Sequence, residues 1–384
     1  MRNKILAALG VVLAIAAVIL FGFDVSRQPD LNYFAGHDPL GGDFTIFWPA
    51  ARLVYEGEAI RVYDPAAIGE RMKEVLQASF RPVPLFHPPH LLPFLAPFGA
   101  MPYFAAYVGF FAVTFLFFLS AVWRWGGRWL TLFMMGFSGV WLTLVTGQVG
   151  LLYAGLFGWG MWFLSRRPLA AGGFIALLTI KPQLGLMWPV ALVAGRQGKA
   201  LLATVAAFAL IVVGIALAYG GAIWAKGLEG MLYAGFGLGE GGNAGHIYKL
   251  MPSVFSALRL AGVSAAVAFS VQGAIIMVVG YYSYKLWRLT TDAGLRMALL
   301  ALANLVSAPF IYNYDLALLA WPIVVLLMQP KLRWYEYAVV AIAYIWPMLN
   351  FRMVGYTGYQ VGMLLPVLML VVIARRIVQG ARVS

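Results

Sequence analysis

An aspartate set among glycines and aromatics, just past an apolar segment, is the residue of this chain best placed to do chemistry. It stands in Gly41-Gly42-Asp43-Phe44 and runs on into Thr45-Ile46-Phe47-Trp48-Pro49. The apolar segment before it, residues 5–23, is long enough to cross a bilayer. An acid in the interfacial layer of a membrane is expensive unless something uses it. Asp43 therefore reads as a general base that takes a proton from an attacking hydroxyl, or as the N-cap of the helical stretch after it. The two roles are compatible.

Lys181 lies at the Lys181-Pro182 break between two short apolar pieces. Such a lysine must find a partner, reach the interface or face water. It either holds a phosphate, stabilising charge on a departing group, or anchors the interface. Gln148, in Thr146-Gly147-Gln148-Val149-Gly150, either hydrogen-bonds a substrate hydroxyl or satisfies backbone groups at its turn. His87 and His90 sit in the proline-dense run Arg81 to His90, which is not a regular helix. Lacking nearby acids or a third ligand, they suit substrate hydrogen bonding or loop structure better than a metal. His246 is a lone histidine in a glycine-rich loop, a substrate-binding candidate only. Tyr314 and Asp315 close the run Ser307 to Asp315 between two apolar segments. Asp315 either caps the helix after it or binds substrate beside Asp43, with Tyr314 next to it.

The elements that must position these residues are apolar almost throughout. The chain of 384 residues is 62% hydrophobic and 11% charged, where soluble domains run at about 45–50% and about 25%. Spans are expected near 5–23, 103–122, 129–145, 149–164, 168–181, 183–195, 200–219, 262–287, 295–311, 314–328, 335–350 and 361–378. The first begins with Arg2 and Lys4 but exceeds a signal-peptide core of about 7–15 residues, so it reads as a retained anchor. The fold expected is an all-α polytopic membrane bundle of about 11–13 transmembrane helices, in a single domain over 1–384. A first outer segment, 24–102, holds two amphipathic helices (Phe44 to Glu56 and Pro65 to Phe80) that read as interfacial, then a short re-entrant piece. A second outer loop, 220–252, is glycine-rich and suited to ordering over substrate. Non-helical backbone near Lys181 requires a cavity or surrounding protein at that depth.

The net charge of +13 is topological. With the N-terminus inside, the inner turns take 16 of the 27 basic residues and, of the 14 acids, only Asp292 and Glu336, leaving +14 inside and −1 outside. That asymmetry favours both termini in the cytoplasm and argues against nucleic acid as a partner. The chain has no cysteine, which excludes disulfides and thiolate metal sites. It has no P-loop or dinucleotide fingerprint, and neither a cofactor nor a metal is expected.

Read in order, these segments resemble the polytopic glycosyltransferases of family 87, membrane enzymes of the GT-C class. The resemblance rests on Gly42-Asp43-Phe44 with Trp48-Pro49-Ala50-Ala51-Arg52-Leu53 and Glu56-Gly57. It continues through Val62-Tyr63-Asp64-Pro65, Phe86-His87-Pro88-Pro89, Pro97-Phe98-Gly99 with Pro102, Gly147-Gln148-Val149 and Ile180-Lys181-Pro182-Gln183. It implies a GT-C-like bundle in the bacterial inner membrane. A polyprenyl-phosphate sugar, with mannose-like hexose foremost, would be the donor, and a lipid or glycan hydroxyl on the extracytoplasmic side the acceptor. Asp43 inherits the role of base, and direct displacement would invert the anomeric centre. The chain departs from the pattern at Tyr314-Asp315, where many members carry a histidine pair, and at His87, where tyrosine is commoner. The competing readings are a transporter or flippase, which calls for polar residues deep within spans, and a scaffold without activity, which leaves Asp43 and Lys181 unexplained.

Overall fold

The computed structural model describes residues 2–26, 40–75, 82–234 and 244–382. Most of the glycine-rich run (235–243) and the 76–80 end of the second amphipathic stretch lie outside the described residues. Every regular element described is helical.

The chain enters through α1 (Arg2–Ser26), α2 (Phe44–Tyr55), α3 (Pro65–Lys73) and the single turn α4 (Leu92–Leu95). It continues through α5 (Tyr103–Met134), α6 (Ser138–Thr146), α7 (Gly150–Leu164), α8 (Pro168–Leu177), α9 (Trp188–Ala194) and α10 (Gly198–Tyr219). There follow α11 (Ala222–Leu232), α12 (Ala244–Leu250), α13 (Val254–Leu260), α14 (Ala265–Leu289), α15 (Ala293–Ser307), α16 (Ala320–Met328), α17 (Trp334–Thr357) and α18 (Leu364–Ala381). Among the described residues, six helices (α1, α5, α10, α14, α17 and α18) are long and apolar enough to cross a membrane, and five shorter apolar segments accompany them. The chain is an all-α polytopic membrane protein. Its enclosed centre is α15, the turn Asn313–Leu319 and α16, buried at nearly every position. The outer helices α10 and α14 keep large apolar side chains such as Leu202, Leu210, Leu217 and Met277 exposed, as lipid-facing helices must.

Two expectations change. The span expected at 129–145 is not one helix. The helix that starts at Tyr103 breaks at Gly127 (φ 69°, ψ −179°), close to the boundary expected between 103–122 and 129–145. A short second piece of α5 runs on to Met134, and α6 is a separate helix of nine residues. The stretch Phe44 to Glu56 is not laid open on an interface. Nine of the twelve residues of α2 are buried. The segment Ala96–Ala100 covers α2 so closely that a Cβ at Gly99 would strike the backbone of Ala51. Trp48 Nε1 donates to the Met101 carbonyl at 2.9 Å and Arg52 to the Gly99 carbonyl at 3.1 Å. An amphipathic pattern demands a partner for its apolar face, and here the partner is protein. The proline at the start of α3 is placed as expected, with Asp64 capping through its side chain to Ala66 N at 2.9 Å.

The basic turns are fixed by aromatics and one acid. The Arg124 and Arg166 guanidinium groups lie 4.2 and 3.6 Å from the centre of a Trp162 ring, and Arg128 lies 4.3 Å from Trp129. Arg376 grips the buried Glu336 carboxylate with two nitrogens, both at 2.6 Å. The candidate site lies towards the other end of α17, where Phe351 reaches it.

Candidate active site

Two glycine turns, more than a hundred residues apart, build the floor of the site. Gly147 ends α6 in the left-handed region (φ 61°), a common helix stop. Gly41 (φ 77°) and Gly42 (φ 43°) bend the chain into α2. The turns touch backbone to backbone, and a Cβ on Gly147 would overlap the Gly41 carbonyl and crowd Phe44. This contact lets Asp43 N donate to the Thr146 carbonyl at 3.0 Å and Gln148 Nε2 donate to Asp43 Oδ2 at 2.8 Å. Tyr103 and Tyr107 hydroxyls anchor the same turns through the Leu40 and Leu144 carbonyls. By backbone position Asp43 is the N-cap of α2, but its side chain makes no capping bond. The carboxylate is free for other work. Oδ1 has no hydrogen-bond partner among the described residues.

Gly147→Ala tests this construction. A side chain in the left-handed region costs about 1–2 kcal/mol, and the overlap with Gly41 adds to it. Turnover is expected to fall at least about tenfold as Asp43 and Gln148 separate, while Gly173→Ala, whose new Cβ would meet nothing within 4 Å, stays active. Unchanged turnover and melting in Gly147→Ala would mean that the turns need not touch.

Lys181 is the second pole. Proline at 182 disfavours helix at the preceding residue, and Lys181 sits at φ −136°, ψ 79° between the short turns Leu178–Ile180 and Pro182–Gly185. Neighbouring helices satisfy the backbone that this break frees. Tyr153 Oη donates to the Leu184 carbonyl at 2.8 Å, and Met187 N donates to Asn304 Oδ1 at 2.9 Å. The Lys181 ammonium, 4% exposed, donates to Asp315 Oδ1 at 2.6 Å and lies 4.4 Å from the centre of the Tyr314 ring. Asp315 Oδ2 accepts from Tyr312 N at 2.9 Å. One carboxylate thus caps its own turn and neutralises the lysine.

A cavity of about 680 Å³ joins these poles. Asp43, Gln148, His87, Lys181 and Tyr314 line it, together with Gln183, Tyr312, Asn313 and an apolar wall that includes Phe86, Leu228, Leu250, Phe310 and Phe351. Asp315 is not on the wall; it lies behind Lys181, paired with it. His90 is off the wall too, with Nε2 3.1 Å from Thr179 Oγ1 and its ring stacked on Trp224. These contacts fit the loop-structure alternative for His90. His246 lines a separate, smaller cavity. Tyr312, Asn313 and Gln183 belong to runs that the sequence flags, but nothing in their residue types marks them as lining.

Surrounding protein pushes the Asp43 pKa upward, against the opposing effects of the Gln148 hydrogen bond and the Lys181 charge. Burial, then the Lys181 charge, then His90 hold His87 well below the usual histidine range. His87 is therefore a neutral imidazole at pH 7, set edge-on to Phe47 and steadied by Tyr63 Oη, which donates to its carbonyl at 2.9 Å. Burial likewise takes His90 down to about 4.

In this membrane bundle a carboxylate, an ammonium, a neutral imidazole and amides converge on one cavity with mostly apolar walls, an arrangement suited to an enzyme site within a membrane. The sequence matches glycosyltransferase family 87 over residues 85–311, more than half of the chain, and the protein belongs to that family. The matched stretch holds His87, Gln148 and Lys181, while Asp43 and Asp315 fall on either side of it. No curated protein and no solved structure matches the chain.

Proposed function

We propose that this glycosyltransferase moves a sugar from a polyprenyl-phosphate donor to an acceptor hydroxyl on the extracytoplasmic side, with Asp43 as general base and inversion at the anomeric carbon. The observation that carries the reading is Asp43 itself. Its carboxylate faces the cavity, is held by one hydrogen bond from Gln148 and is unused in capping. In the step, an acceptor hydroxyl gives its proton to Asp43 as its oxygen bonds to the anomeric carbon. The bond from that carbon to the phosphate oxygen breaks, and the electron pair leaves on polyprenyl phosphate. Lys181 keeps two of its three N–H donors beyond the one given to Asp315, and these meet the charge that grows on the leaving phosphate. Tyr312, Asn313, Gln183 and His87 supply the polar contacts that orient a sugar. The apolar wall suits a prenyl chain, and a mannose-like hexose fits the resemblance of the chain. The charge asymmetry of the turns supports both termini in the cytoplasm, and the resemblance of the chain supports a bacterial inner-membrane location.

A panel of polyprenyl-phosphate sugars, each radiolabelled and presented to the purified chain in nanodiscs, tests the reading. Transfer, or slow hydrolysis, of at least one such donor is the expected result. Turnover of nucleotide sugars alone would sink it.

A further inference from the structure

Beside the catalytic cavity lies a second one of about 260 Å³, and Leu250 and Phe351 form part of both walls. Its polar lining is basic: His246 and Lys249 from α12 and Arg352 from α17, with no acid. Elsewhere towards this end, most basic side chains are neutralised, Lys73 and Arg259 being exceptions among the described residues. Arg52, Arg61, Arg71, Lys226 and Lys181 all reach a carboxylate. Lys249 and Arg352 have no acidic partner among the described residues. Uncompensated like charges placed together repel, so an anion would stabilise them.

The backbone that carries these basic residues is held in place. Buried amides pin the α12 wall of the cavity: Gln360 Nε2 donates to the Lys249 carbonyl at 2.9 Å, and Asn313 Nδ2 donates to the Leu250 carbonyl at 3.1 Å. Asn350 Nδ2 donates to Asn313 Oδ1 at 2.6 Å, which ties α17 to the same wall two residues before Arg352. One face of α17 then states what kind of anion fits. Ile342, Ile345, Leu349, Arg352 and Tyr356 follow one another at three- and four-residue steps and so share a face. The four apolar members are 42%, 50%, 37% and 88% exposed. Below the charged cavity an apolar stripe therefore descends from Arg352 to Ile342, about 15 Å at the helical rise.

We propose that the second cavity binds the phosphate of a membrane lipid, with Lys249 and Arg352 on the phosphate and the lipid chain along the α17 stripe. This site is distinct from the place given to the donor phosphate at Lys181. Lys181 is the basic residue that acts on Asp43, and a phosphate bonded to the reacting carbon must lie near the base. The lipid in the second cavity is therefore an anionic bilayer phospholipid, and its headgroup would lie against the same Leu250–Phe351 wall as the transferred sugar.

The full chain in phosphatidylcholine nanodiscs, titrated with a fluorescent short-chain phosphatidic acid without donor, tests the site. Binding is read without turnover, so a failure of the transfer reading leaves this result intact. Lys249→Gln/Arg352→Gln is expected to weaken binding roughly 30-fold, from about 1 kcal/mol per basic residue near a lipid surface, with melting unchanged. Lys73→Gln, an exposed basic residue outside the cavity, is expected to bind as wild type. Equal affinity in the double variant overturns the proposal, as does an equal loss in Lys73→Gln. Full displacement of the probe by inorganic phosphate at the same concentration overturns the lipid chain's place on α17.

Discussion

Asp43→Asn is expected to fold, keep its donor and lose about 10²- to 10⁴-fold in kcat, the contribution typical of a positioned general base. The substitution is close to isosteric, and the amide oxygen still accepts from Gln148, so the turn contact between Gly41 and Gly147 survives. What disappears is the lone pair that takes the acceptor proton. The pH profile carries a second signature. Burial raises the Asp43 pKa above its ordinary value, and the base works only when ionised. Turnover should therefore fall as pH drops through a value above the usual carboxylate range, with the acid limb displaced upward. Gln148→Leu removes the hydrogen bond that favours the carboxylate, so its acid limb should move higher still, with turnover recovering at high pH. Asp43→Asn should lose that limb altogether. Wild-type turnover in Asp43→Asn, with donor bound, would remove Asp43 from the mechanism. An acid limb unmoved by Gln148→Leu would show that another group is being titrated.

The sequence makes the individual pieces of this site legible but not their pairings. The break at Lys181 could be read because proline constrains the residue before it and a lysine in an apolar run is costly. The partner of Lys181 could not, since Asp315 lies 134 positions away and only packing brings them together. The same holds for Gln148 and Asp43, 105 positions apart. The turn that holds Gly147 is legible between two apolar spans, but the closeness of Gly147 to Gly41 belongs to the tertiary fold. Spacing treats His87 and His90 alike. Neighbours separate them, because His87 meets the cavity while Trp224 and Thr179 enclose His90. The α2 pattern fitted a helix on a membrane surface as well as one under protein, and the segment 96–100 decides between them. The transporter reading called for polar groups spread through the spans. The carboxylate, ammonium, imidazole and amides gather instead around one cavity.

Lys181→Met should be severely destabilising, by about 3–5 kcal/mol, because it leaves Asp315 as an uncompensated buried charge. Both members are enclosed, with side chains 4% and 0% exposed. Loss of activity in that variant alone would therefore say nothing about chemistry. Adding Asp315→Asn separates the roles. The double variant removes both charges, and the asparagine carbonyl still accepts from Tyr312 N, so the cap of the Asn313–Leu319 turn persists. Melting should return most of the way to wild type, since removing both members of a buried pair is often near neutral. Turnover should not return. If Lys181 stabilises the departing phosphate, its loss costs about 10²- to 10³-fold in kcat, the range seen for a single donor aimed at developing charge. The acid limb should also shift upward, because the Lys181 charge that favours ionised Asp43 is gone. Asp315→Asn alone should keep more turnover than the double variant, because the ammonium remains and is freer to meet the phosphate. A double variant that melts and turns over like wild type would reduce the pair to scaffolding. Restored melting with lost turnover would place Lys181 on the reacting phosphate and Asp315 behind it as the residue that positions it.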